Sequence, residues 1–349
     1  GSAETSIEDA QQAPVVSIEA DQSSVTESAV AGFTIKLDQV ADEAVTVNLS
    51  YSGVAADGSD FTGVAQVSVP ANSASYDLDL ATLDDAVYEG AEAFTVTIAS
   101  VSGADATVST AKNSASTTIA DNEAAPVVSI EADQTSVTEG AVAGFTIKLD
   151  QVADEAVTVN LSYSGVAADG SDFTGVAQIS VPANSASYDL DLSTIDDGVY
   201  EGAEAFTVTI ASVAGADATI GTATASTTIA DNESAPVVSI EADQTSVTEG
   251  NTAGFTIKLD QIADEALTVN LTYSGVAADG TDFTGISQIT VPANSASYDL
   301  DLSTIDDGIY EGAEAFTVTI ASVAGADATV STTQNSASTT IADNESAPV

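Results

Sequence analysis

The chain has 349 residues and sets 54 Asp or Glu against four Lys or Arg, a formal net charge of -50, with no Cys, His or Met. Such a surface repels nucleic acid and anionic membranes. The missing side chains exclude disulfides, imidazole or thiolate catalysis and soft-ligand transition-metal sites.

Three near-copies of one segment fill the sequence. Pro14, Pro126, Pro236 and Pro348 are equivalent, giving a repeat of 110 to 112 residues. That length is too great for a solenoid unit and suits an independently folding domain. The expected division is a tag remnant with leader or linker at 1–13, repeat 1 at 14–125, repeat 2 at 126–235, and repeat 3 with the start of a further linker at 236–349. Gly1-Ser2 reads as the tag remnant, and the chain reads as an excised piece of a longer array. No apolar run approaches the roughly 20 residues of a membrane helix, so no membrane span is expected in this fragment.

Acidic, aromatic-poor chains are often disordered, but the alternation of apolar and polar residues argues for half-buried strands. In repeat 2 the first strand covers Val127 to Glu131 and, after an interruption, Ser136 to Thr138. Glu139-Gly140 turns the chain into a second strand at Gly144 to Leu149 and a third at Val157 to Tyr163. A Gly-containing loop from Ser164 ends in Asp172-Phe173. Strands follow at Gln178 to Val181 and Tyr188 to Leu192, then the acidic connection Asp196-Asp-Gly-Val-Tyr-Glu-Gly202. The last two strands run Ala205 to Val213 and Ala225 to Ile229, ending at Asp231-Asn-Glu233. Seven or more short strands without a helical stretch predict an all-β fold, three β-sandwich domains in tandem.

Asp105 and Asp121, like Asp327 and Asp343, are 16 positions apart, whereas Asp217 and Asp231 are 14 apart. Loss of two residues preserves strand facing. The connection before the last strand therefore reads as an exposed hairpin without part in the common function.

In an antiparallel sandwich, alternate loops lie at opposite ends. One end then collects Glu139, Asp172, Asp196, Asp197, Glu201, Asp231 and Glu233 in repeat 2. Its counterparts are Glu27, Asp60, Asp84, Asp85, Glu89, Asp121 and Glu123 in repeat 1, and Glu249, Asp282, Asp306, Asp307, Glu311, Asp343 and Glu345 in repeat 3. So many like charges require protons or a cation between them. An all-oxygen donor set suits Ca²⁺, which accepts six to eight oxygens in tolerant geometry, better than Mg²⁺.

Asp133, Glu204, Asp150 and Asp154 read as solvated surface acids. Asp154 or Glu155, in the loop facing the preceding domain, is the acid placed to touch the junction. Tyr51, Tyr163 and Tyr273, and likewise Tyr76, Tyr188 and Tyr298, read as packed sheet residues. Tyr88, Tyr200 and Tyr310 read as anchors of the acidic loop whose hydroxyls find partners. Lys36, Lys148 and Lys258 read as solvent-facing charge relief. The linker Asp121-Asn-Glu-Ala-Ala-Pro126 is short, and Pro restricts it. No nucleophile set, phosphate loop or substrate groove is evident, so no enzyme activity is expected.

The stretch Ser193-Thr-Ile-Asp-Asp-Gly-Val-Tyr-Glu-Gly-Ala-Glu-Ala-Phe206, with Asp172-Phe173 upstream and Asp231-Asn-Glu233 downstream, resembles the Calx-beta module in all three copies. The resemblance implies an immunoglobulin-like sandwich binding calcium at its carboxy-terminal end through Glu139, Asp172, Asp196, Asp197 and Asp231. Sodium/calcium exchangers and integrin beta-4 carry one or two such modules. Large type I-secreted (RTX) bacterial adhesins carry long acidic, Cys-free arrays of them. Ser28 stands where the other copies have Gly140 and Gly250, a departure that leaves Glu27 in place.

The expected function is a calcium-stiffened extender rod of an extracellular bacterial cell-surface adhesin, monomeric and contacting mainly its own neighbouring repeats. The alternatives are a calcium-sensing regulatory module and a glycan- or protein-binding module.

Overall fold

The computed structural model describes residues 12–349; Gly1-Ser2 and the leader through residue 11 lie outside the described residues. Repeat 1 contains β1 (Val15–Ala20), β2 (Ser24–Thr26), β3 (Val30–Leu37), β4 (Val45–Gly53), β5 (Gln66–Val69), β6 (Ser75–Ala81), β7 (Glu92–Ser102), β8 (Thr107–Val108) and β9 (Ser114–Ala120). The same nine recur as β10 to β18 between Val127 and Ala230, and as β19 to β27 between Val237 and Ala342. No helix occurs among the described residues, so none is long and apolar enough to cross a membrane.

Each repeat is a two-sheet sandwich. One sheet has the order β6-β3-β1-β8 and the other β2-β9-β7-β4-β5. The interrupted first strand explains how the sheets are tied together. β1 pairs antiparallel with β3, whereas β2 has crossed to the opposite sheet and pairs parallel with β9. The period-two pattern survives in burial: alternate residues of β3 and β4 are buried and their neighbours more exposed.

In repeat 2, β16 (Glu204–Ala214) and β18 (Thr224–Ala230) pair antiparallel, as the hairpin reading expects, but the connection between them carries a short strand of its own. Thr219–Ile220 (β17) pairs in parallel with the start of β10 and extends that sheet. Two residues make too weak a pattern to stand out in sequence.

The core of repeat 1 is built on Phe33, Phe61 and Phe94, all fully buried. Phe61 and Phe94 stack at 4.1 Å, and Phe33 meets Phe94 edge-on at 5.8 Å. Each such ring contributes on the order of 2 to 3 kcal/mol through burial. Phe61 also fixes the acidic end, because neighbouring residues in extended chain face opposite ways. Sinking Phe61 into the core holds Asp60 at the rim. Tyr51 packs edge-on against Phe61 at 5.3 Å. Its hydroxyl donates to the Val64 carbonyl at 2.7 Å and accepts from the Val64 N–H at 2.8 Å, pinning the long loop.

The three lysines at equivalent strand positions are paired across adjacent strands: Lys36 with Glu19, Lys148 with Glu131 and Lys258 with Glu241. These pairs are half exposed and worth little individually.

Candidate metal centre

The acids assemble in two adjoining groups at one end of each sandwich. In repeat 1, Glu27, Asp121 and Glu123 offer oxygens that all lie within 4.8 Å of one another; so do Asp60, Glu89 and Glu92. Repeat 2 has Glu139, Asp196 and Glu233 in one group and Asp172, Glu201 and Glu204 in the other. Repeat 3 has Glu249, Asp343 and Glu345. In the same repeat, Glu249, Asp282, Asp307, Glu311, Glu314 and Asp343 border a cavity of about 10 Å³, room for a single small sphere.

The remaining predicted acids sit at the edges of these groups. Asp84 accepts the Ser28 hydroxyl at 2.9 Å, beside Glu27. Its charge raises Glu27 and Glu123, while Asp85 raises Glu89. Asp197 acts likewise on Glu201, and Asp307 on Glu311. Asp306 lies against Gly250, next in chain to Glu249.

Asp121 organises the loop between β6 and β7. One carboxylate oxygen accepts the N–H groups of Glu89 at 2.6 Å and Gly90 at 2.8 Å; the other accepts the N–H of Glu123 at 2.7 Å. Asp231 repeats this with Glu201, Gly202 and Glu233 at 2.6, 2.7 and 2.7 Å. Asp172 is held in turn by the Ala168 N–H, and Asp282 by that of Ala278. The acids are therefore fixed by backbone, not merely tethered.

Their electrostatics match a site built for a cation. Burial, reinforced by Asp121, Glu123, Glu89 and Asp84, pushes Glu27 up to about 7. Burial with Asp60, Asp85, Asp154 and Asp121 does the same to Glu89, again to about 7. Glu139 and Glu201 rise to about 7 for the same reasons in repeat 2. Buried oxygens of Glu123, Glu139, Glu233 and Glu345 have no hydrogen-bond partner. Unpaired buried carboxylate oxygen is costly, and a hard cation is the group that would satisfy it. The donor set thus fits a metal such as calcium.

Glu204, which reads from sequence as a solvated surface acid, joins Asp172 and Glu201 instead, as Glu92 joins Asp60 and Glu89. The reason is strand parity. Glu204 and Phe206 lie two apart on one strand and share its inward face, and at the strand end that face opens onto the site. Parity with Phe206 was the signal available in the sequence. Asp133 accepts the Thr146 hydroxyl at 2.8 Å and Asp150 the Val127 N–H at 2.7 Å, both structural contacts away from the clusters.

The acidic loop also forms the joint between modules. Tyr88 donates its N–H to the Val152 carbonyl at 2.8 Å and accepts the Asp154 N–H at 3.1 Å, a short parallel β-bridge between repeats. Gln151 donates to the Ala86 carbonyl at 2.7 Å, and the Tyr88 hydroxyl donates to Asp217 at 2.9 Å. The next joint repeats all four bonds: Tyr200 with Ile262 at 2.8 Å, Asp264 with Tyr200 at 3.1 Å, Gln261 with Gly198 at 2.7 Å, and Tyr200 with Asp327 at 3.1 Å. Asp154 thus does reach the junction. Asp217 corrects the reading of its turn as functionally idle: the two-residue deletion falls beyond it and leaves the joint intact.

The Calx-beta domain profile matches residues 9–123, 121–233 and 231–345. No curated protein matches the chain significantly. Among solved structures, calcium binding domain CBD12 of CALX1.1 is 15% identical over 60% of this chain and 98% of that chain, with a TM-score of 0.27. FdeC, an Escherichia coli adhesin, is 14% identical over 95% of this chain and 97% of that one, with a TM-score of 0.28. The Yersinia pseudotuberculosis adhesin InvE is 11% identical over 62% and 59%, with a TM-score of 0.29. Modules of this class are structural and non-catalytic. The three consecutive profile matches, spanning nearly the whole chain, make it a member of the Calx-beta domain family.

Proposed function

We propose that the chain is a calcium-stiffened extender of a bacterial surface adhesin, exported by a type I system, that holds terminal binding domains away from the cell. The observation that carries this reading is the continuity between acid cluster and joint. Tyr88 and Glu89 are neighbours in one loop, with Glu89 in the cluster and Tyr88 bonded to Asp217 of the next module.

In repeat 1, Glu27, Asp84, Asp121 and Glu123 would hold one cation, and Asp60, Asp85, Glu89 and Glu92 a second beside it. The equivalents are Glu139, Asp196, Asp231, Glu233 and Asp172, Asp197, Glu201, Glu204 in repeat 2, and Glu249, Asp306, Asp343, Glu345 and Asp282, Asp307, Glu311, Glu314 in repeat 3. A bound calcium ion supplies positive charge and a demand for six to eight oxygens. With their charge neutralised, Glu89 and Asp121 stop repelling each other. Asp121 then keeps the loop backbone in one shape, and Tyr88 presents a fixed edge to Val152 and Asp154. Pro126 stiffens the linker alongside, and its carbonyl is already committed to the Thr219 N–H at 2.9 Å.

Repetition of one joint with the same four bonds favours uniform length over signalling. A calcium sensor, the alternative, would use one joint as a switch. Thermal unfolding and calorimetric titration with calcium and magnesium test the assignment. Saturable calcium uptake with a large rise in melting temperature, and weaker magnesium response, is expected; equal indifference to both ions contradicts it.

A further inference from the structure

Charge is unevenly placed on each sandwich. The four-stranded sheet β6-β3-β1-β8 exposes Glu19, Lys36, Asp77 and Asp79. The strands of the five-stranded sheet hold a single charged residue, Glu92, and it turns inward to the acid group. Glu204 and Glu314 are its counterparts, again alone in their sheets. The outward face of this sheet is therefore uncharged in every repeat. On β4 it presents Thr46, Asn48, Ser50 and Ser52, alternating with buried residues.

These side chains are bonded to one another. Asn48 donates to the Ser100 hydroxyl at 2.9 Å, Gln66 donates to the Asn48 side-chain carbonyl at 2.8 Å, and the hydroxyls of Thr95 and Ser116 meet at 2.8 Å. Repeats 2 and 3 keep the same bonds at 2.8 or 2.9 Å. At the border of the face, just beyond β4, Val54 is 71% exposed, as are Val166 and Val276 in the other repeats.

We propose that this uncharged face docks a second copy of the chain, the two copies pairing face to face about a two-fold axis. Hydroxyl and amide groups both donate and accept, so the face is complementary to itself. A carboxylate surface only accepts and repels its own copy. With a net charge of -50 on each chain, approach across the four-stranded sheet brings like charges together. Its edge strand β6 carries Asp77 and Asp79, which discourages pairing edge to edge. Short side chains already held by their neighbours lose little freedom on docking.

Five strands about 4.8 Å apart, on average about six residues long at about 3.3 Å each, present a face of roughly 480 Å². A stable interface buries about 800 Å² per partner. One module falls short and two suffice, so pairing engages at least two modules of each chain. A contact between identical faces closes on itself, and association stops at two copies. The proposal uses the sheet face alone and does not rest on the extender role.

Sedimentation equilibrium of the full chain in calcium, from about 10 µM to about 1 mM to bracket weak affinities, tests it. The average mass should rise with concentration and level at two copies. Raising salt from about 0.1 M to about 1 M shortens the screening length from about 10 Å to about 3 Å. Pairing should tighten, because repulsion between the net charges opposes it; an interface made of ion pairs would loosen.

Ser50→Glu, Ser162→Glu and Thr272→Glu, all at exposed positions of the face, should together hold the chain at one copy. Ser162→Glu alone should weaken pairing about tenfold, by juxtaposing like charges. Ser75→Glu, Ser187→Glu and Ser297→Glu, exposed on the other sheet, should together leave it unchanged, with circular dichroism verifying the fold of every variant. A wild-type chain that stays monomeric at both salt concentrations, a mass that passes two copies, or a triple face variant that still pairs overturns the proposal. A monomer whose face amide signals move on adding a neutral oligosaccharide also overturns it, and assigns the face to a saccharide.

Discussion

The phenol of Tyr88 and the carboxylate of Asp217 lie 129 positions apart in sequence and 2.9 Å apart in space, one on each side of a module boundary. Removing that hydroxyl isolates the clasp from the cation sites. Tyr88→Phe should leave calcium uptake unchanged and cost about 1 kcal/mol of joint stability, the scale of one net hydrogen bond. Spin-label distances across the joint should broaden, while the melting of individual modules does not move.

Asp231 should be far less tolerant. Its three backbone bonds shape the loop that carries Glu201, and its charge belongs to the cluster around Glu139. Asp231→Ala leaves three N–H groups without their acceptor and should weaken calcium binding in repeat 2 by more than tenfold, read by calorimetry. Glu204→Gln, which retains shape and loses only charge, should weaken it less while preserving fold.

The protonation pattern gives a pH dependence of defined sign. Glu27, Glu89 and Glu92 rise from 4.5 to about 7 on folding, burial being the largest cause. Between those values the folded state holds more protons than the unfolded chain. In chelator, this contribution to stability is complete below about 4.5 and is lost as pH rises through about 7. Melting temperature in chelator should therefore fall from pH 5 to pH 8. Calcium should reverse the trend, because it competes with the same protons and releases them on binding.

Gly140 has φ of 71°, and a Cβ there would stand 3.3 Å from that of Asp196. Gly140→Ala should destabilise repeat 2 by about 1 to 2 kcal/mol, the cost of a left-handed residue bearing a side chain. Ser28 occupies this conformation at φ 58°, and its hydroxyl bond to Asp84 offsets part of that cost. Denaturant melts of the variant give the comparison.

Much of this was legible beforehand because adjacent residues take opposite faces. Asp60 beside Phe61, and Asp172 beside Phe173, mark an acid held at a rim by a ring in the core. The convergence of Glu139, Asp172 and Asp231 followed from antiparallel topology alone. Glu92 and Glu204 escaped because a carboxylate on an inward-facing strand position looks misplaced until the strand end proves open. Asp217 escaped because its turn varies in length nearby, and because its partner Tyr88 belongs to another module. Contacts between separately folding units leave no periodic trace in either one.

Small-angle X-ray scattering of dilute protein, first in chelator and then in millimolar calcium, tests the central claim most directly. Three modules whose longest strands have 11 residues, each about 36 Å at about 3.3 Å per residue, would make a rod on the order of 120 Å. Calcium should convert a broad distribution of shapes into one rod of about that length, with a single narrow cross-section. Identical scattering in both conditions would contradict the account, leaving the acid clusters without control over the joints they adjoin.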